Sequence, residues 1–162
     1  YISVRPERYS YHMIEESGEF VINLTTEQLA HATDYCGVRS GRDVDKWKEM
    51  HLTEGQASKL DYAPIIEECP VNIECKVTEI KELGSHHMFL AKVEAVQVGE
   101  EYLDEKGRLQ LGKAGLLAYS HGEYLTLGDS LGTFGWSVRK NTSSKKKKKN
   151  IRKGSSSKKQ KK

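Results

Sequence analysis

The sequence predicts a mostly β domain with short helices, built as an antiparallel barrel or sandwich. Residues 71–80 alternate apolar and polar side chains, the pattern of a half-buried strand. Gly84-Ser85 supplies a turn, and residues 88–98 form a returning strand, so the two make a long hairpin. Neither a βαβ alternation nor an internal repeat accompanies them, which argues against a parallel sheet.

The other elements follow in order. Tyr1-Ile2-Ser3-Val4 reads as the middle of a strand, which implies that N-terminal strands precede this fragment. Pro6 holds Arg5 extended and opens a loop. Ser10 is a candidate N-cap for a short helix through Glu16, ended by Gly18. Residues 19–24 form a largely buried strand. Thr25 and Gln28 match a capping box for a helix to about Tyr35, and Asp43 opens another through Met50. Residues 53–68 read as an irregular surface excursion around Pro64. Asp104-Glu105-Lys106-Gly107 turns a smaller hairpin, and residues 116–119 and 123–127 are short closing strands.

Charge divides the chain of 162 residues in two. From Arg139 onward lie 13 of its 26 basic residues and no acid, leaving a net −10 on residues 1–138. The domain reading is therefore 1–138, followed by a Lys/Ser-rich tail at 139–162 with too few apolar residues to offset ordering entropy. The tail suits non-specific phosphate-backbone contact, but no aromatic interleaves its cations, so specific nucleic-acid recognition is not expected. Three cysteines make no disulfide framework and read as reduced thiols in a cytoplasmic protein. No apolar run approaches the roughly 20 residues of a membrane helix, so no membrane partner is expected.

One loop concentrates chemistry: Cys36-Gly37-Val38-Arg39-Ser40-Gly41-Arg42-Asp43-Val44-Asp45-Lys46. Glycines let backbone N–H groups approach a ligand, and hydroxyls and cations hold anions. This is the chemistry of a phosphate grip, set against the plainer reading of a polar connection with solvated charges. Signatures of Ser hydrolases, zinc proteases, Walker loops and dinucleotide-binding folds are lacking. His86 and His87 are adjacent at a strand start, point to opposite faces, and make a poor metal pair.

Five segments in this order resemble the flavin reductase-like proteins of the FMN-binding split-barrel superfamily. They are Tyr1-Ile2-Ser3-Val4-Arg5-Pro6 with Tyr9-Ser10; Gly18-Glu19-Phe20-Val21-Ile22-Asn23-Leu24; Cys36-Gly37 with Ser40-Gly41-Arg42-Asp43-Val44-Asp45-Lys46-Trp47; Gly84-Ser85-His86-His87-Met88-Phe89-Leu90-Ala91-Lys92-Val93; and Tyr119-Ser120-His121-Gly122-Glu123-Tyr124. The resemblance spans residues 1–138 and implies an antiparallel split β-barrel, incomplete at its N-terminus, that dimerises and binds FMN near the subunit boundary. It implies an oxidoreductase that takes hydride from NAD(P)H and passes electrons to free flavin, ferric iron or an electron-acceptor protein. A non-catalytic flavin carrier or dimer scaffold is the alternative. Arg5, Ser10, Ser40, Gly41, Arg42 and Lys46 suit the flavin phosphate, and the resemblance puts Asn23 near the flavin. It also puts His87 beside the docking nicotinamide and His121 where a ring approaches the flavin or the partner subunit. Cys36 has no partner at C-x-x-C spacing and is not assigned to catalysis.

Overall fold

Strands β1 (Ile2–Val4), β2 (Glu19–Leu24), β5 (Val71–Leu83) and β6 (His86–Val98) form one antiparallel sheet in the order β1-β6-β5-β2. The computed structural model describes residues 1–139. The predicted β5–β6 hairpin is present and longer than its apolar pattern, with 13 residues in each strand. Its register shifts between Glu74 and Cys75 and again between Val77 and Glu79. Such bulges bend a strand and increase its twist, so the sheet curls rather than lying flat.

Pairing of β2 with β5 sorts the side chains by face. Phe20 lies opposite Cys75 and Ile22 opposite Ile73, facing the core. There Tyr11, Phe20, Cys75 and Phe89 cluster, with Ile14 of helix α1 (Tyr9–Ser17) packed against them. The opposite face carries Glu19 beside Lys76, Val21 beside Glu74, and Asn23 beside Asn72. Residues 53–68 dock on this second face. They hold a small antiparallel pair, β3 (Glu54–Gly55) and β4 (Ile65–Ile66), and a cluster of Ala57, Leu60 and Ile65 packed with Val21. The segment read as a surface excursion is thus a second layer.

Helix starts differ from expectation. Arg8, not Ser10, is the N-cap of α1, with no side-chain cap bond, and Ser10 lies inside the first turn. Gly18 ends the helix as expected, at φ 69° with its N–H on the Ile14 carbonyl. The Thr25–Gln28 capping box does not form. The backbone there is claimed by the chain around Leu116, with Glu27 N–H on the Gly115 carbonyl at 2.8 Å and Leu117 N–H on the Thr25 carbonyl at 3.1 Å. A 3₁₀ turn at Glu27–Leu29 follows, and helix α2 spans Ala30–Val38, so Cys36 and Gly37 belong to a helix rather than a loop. Helix α3 spans Lys46–Met50 and starts at Asp45, whose carboxylate accepts from Lys48 N–H at 3.2 Å. The closing strands are β7 (Leu117–Ser120) and β8 (Glu123–Thr126), paired with each other.

Residues 1–127 form one compact unit. Residues 128–139, the described part of a second unit, carry a 3₁₀ turn at Trp136–Val138. The basic tail expected at 139–162 lies outside the described residues beyond Arg139. All three cysteines are free, and burial pushes the Cys69 thiol up to about 11. Among the described residues no helix is long and apolar enough to cross a membrane.

Candidate functional site

The start of α1, the end of α2 and the start of α3 border a cleft of about 1260 Å³. Its floor is the segment between α2 and α3, and local bonds shape it. The Ser40 hydroxyl accepts from Arg42 N–H at 3.2 Å, while the Ser40 carbonyl accepts from Asp43 N–H at 3.1 Å and Val44 N–H at 3.3 Å. This turn closes without help from distant residues, which is the usual use of serine in a connection. Gly41 has a further reason: a Cβ there would stand 3.2 Å from Tyr9 Cδ1, so the bare backbone can lie against the ring. The Arg42 guanidinium sits 5.2 Å from the centre of the same ring, a cation–π contact. Lys46 Nζ donates to the Cys36 carbonyl at 2.6 Å, which satisfies a carbonyl in the last turn of α2 and fixes the ammonium at the cleft wall.

Five predicted site residues, Ser10, Ser40, Gly41, Arg42 and Lys46, therefore meet in one cleft. Arg5, Asn23, His87 and His121 do not line it. Arg5 is exposed, 3.5 Å from Glu7. Asn23 Oδ1 accepts from Ile66 N–H at 3.0 Å and so ties β4 to β2. His87 Nδ1 is 2.9 Å from the Tyr11 hydroxyl. His121 is exposed in the β7–β8 turn at φ 52°.

The cleft also contains Arg8, Tyr9 and Arg39, none of which was expected as a cofactor contact, although Arg39 lies in the glycine loop. Their signal was adjacency: Arg8-Tyr9 precedes Ser10, and Arg39 precedes Ser40. Four cations, Arg8, Arg39, Arg42 and Lys46, line it without a salt bridge among the described residues. Three carboxylates, Glu7, Asp43 and Asp45, line it as well. Among the described residues no group of His, Cys, Asp and Glu is placed to hold a metal ion.

The model of the flavin reductase like domain matches residues 1–128. The chain belongs to the flavin reductase-like family. An uncharacterized protein of Archaeoglobus fulgidus is 31% identical over 105 residues, 65% of this chain and 59% of that protein. This family member therefore spans less than two thirds of that relative's length. Flavoredoxin from Methanosarcina acetivorans superposes with a TM-score of 0.75 at 31% identity, over 85% of this chain and 75% of that one. An FMN-binding protein from Thermus thermophilus, solved with bound 1-cyclohex-2-enone, superposes with a TM-score of 0.67 at 26% identity, over 82% and 71%. The curled antiparallel sheet of this flavin reductase-like chain is that of the split barrel seen in flavoredoxin.

Proposed function

We propose that the chain is an FMN-binding oxidoreductase that takes hydride from NADH or NADPH and passes electrons to free flavin, ferric iron or an acceptor protein. The observation that carries this reading is the cleft itself, where Ser40, Gly41, Arg42 and Lys46 meet Ser10. The donor set fits a flavin phosphate: two hydroxyls and two cations. Exposed apolar surface on Met13 borders it, as a flat ring system requires. FMN, once bound, would supply the hydride acceptor, and no protein acid–base pair is needed.

In this reading Lys46 and Arg42 hold the phosphate, and Gly41 allows the backbone to approach it. Arg5 and Asn23 belong to other walls of the site, and Asn23 acts there by anchoring β4. His87 and His121 take the family roles beside the nicotinamide and the flavin, and the Tyr11 hydroxyl orients the His87 ring. A homodimer completes the proposal, since the split-barrel resemblance puts the flavin near a subunit boundary.

The test is FMN titration of the purified chain, followed by oxidation of NADH and NADPH. Saturable binding and flavin-dependent oxidation are expected. Colourless protein that ignores added FMN overturns the reading. FMN binding without NAD(P)H oxidation favours the flavin carrier.

A further inference from the structure

The cleft holds more cation and more apolar surface than one flavin phosphate uses. Arg8 stands at the start of α1 and Arg39 at the end of α2, both with extended backbone, and both residues line the same cleft. Each has an exposed apolar neighbour in the chain that also lines the cleft: Tyr9, 43% exposed, beside Arg8, and Val38, 70% exposed, beside Arg39. At about 1260 Å³ the space exceeds the roughly 300–1,000 Å³ of a site for one small ligand. Cations flanking flat apolar surface suit a purine nucleotide that carries extra phosphate.

The lining carboxylates, Glu7, Asp43 and Asp45, bear on which nucleotide suits the cleft. A free ribose 2′-hydroxyl is read by an acid, a 2′-phosphate by arginine. Glu7 is engaged by Arg5 at 3.5 Å, and Asp45 caps α3. Asp43 remains beside the two arginines, with no ion pair among the described residues. Resting on the proposed oxidoreductase reading, we infer that Arg8 and Arg39 form a subsite for the 2′-phosphate of NADPH, with its adenine on Tyr9 and Val38. The chain then uses NADPH in preference to NADH.

The test titrates the full chain with adenosine 2′,5′-bisphosphate and with adenosine 5′-monophosphate by calorimetry. The bisphosphate binds about tenfold tighter, the gain of one charge-assisted contact pair. The Arg8→Ala/Arg39→Ala double variant, checked for fold by circular dichroism, loses that preference. Arg39→Ala alone, checked for fold by circular dichroism, loses part of it. In turnover, wild-type kcat/KM for NADPH exceeds that for NADH by about tenfold, through KM. Equal affinity for the two nucleotides overturns the inference. So does a preference that survives the double variant, because the bisphosphate then sits elsewhere, such as the basic tail. Failure of the wild-type chain to bind FMN refutes the parent reading instead, and the nucleotide titration still decides the subsite.

Discussion

Glu74 and Ser58 are joined twice: Glu74 Oε1 lies 3.0 Å from the Ser58 amide nitrogen and 2.9 Å from the Ser58 hydroxyl. Glu74 is fully buried, and its other oxygen accepts from Lys59 N–H at 2.7 Å. Glu19 does the same one strand away, accepting from Asp61 N–H at 3.0 Å and Tyr62 N–H at 2.9 Å. Two carboxylates thus bind the segment over the second face of the sheet by its backbone.

Glu74→Ala removes the acceptor of the Ser58 and Lys59 amides and one of two acceptors of Gln97 Nε2, which donates to Glu74 at 2.8 Å and to the Gln56 carbonyl at 3.2 Å. We expect a loss of about 3 kcal/mol in urea unfolding, with new proteolytic cleavage within residues 57–63. Unchanged stability would show that the apolar cluster of Ala57, Leu60 and Ile65 alone holds the segment.

Stability should fall in acid through these same groups. Burial raises the pKa of Glu19, but the Tyr62, Asp61 and Ala63 amides and Lys76 outweigh it and hold the group below its ordinary 4.5. Burial likewise opposes the Ser58 amide, Gln97 and the Lys59 amide at Glu74, and the donors again win. Both folded values lie below the unfolded ones, so the contribution is complete above pH 4.5 and is lost as pH falls through the folded values. Melting temperature followed from pH 7 to pH 3 should drop for wild type and drop less for Glu74→Gln.

Tyr11 should fix the tautomer of His87. The Tyr11 hydroxyl donates to Glu15 Oε1 at 3.2 Å, so its single proton is used there. Burial, then Glu15, raises the phenol pKa and keeps that proton on. His87 must therefore donate from Nδ1 across the 2.9 Å contact, leaving Nε2 as an acceptor. Nitrogen NMR of the imidazole should report the Nδ1–H form in wild type and a mixture in Tyr11→Phe, with a stability loss of about 1 kcal/mol.

Lys46→Met keeps an unbranched side chain one atom shorter and removes its charge. FMN affinity should fall about tenfold by fluorescence titration, while stability changes by less than about 1 kcal/mol because one carbonyl bond is lost at the cleft wall. Equal FMN affinity in the two proteins would remove Lys46 from the phosphate site.

Much of this architecture was legible because it is local. Alternation with a period of two and a Gly-Ser turn announced the β5–β6 hairpin, and Gly18 announced the end of α1. Helix starts were less legible, because a cap candidate competes with backbone partners far along the chain. Thr25 lost its cap role to pairing with residues 115–117. In the site, Ser40, Gly41, Arg42 and Lys46 were legible as neighbours in one segment.

The antiparallel hairpin, the contrast between an acidic body and a basic tail, and the polar glycine segment lining the cleft were readable from residues close in the chain, where periodicity and turn chemistry act. Folding at long range brings Arg8 and Tyr9 to that segment, makes Asn23 the anchor of β4, and sets Glu19 and Glu74 to bind the segment above the sheet. Each depends on contacts across 15 to 43 residues, and a buried glutamate has no pattern of its own until its partners are in place.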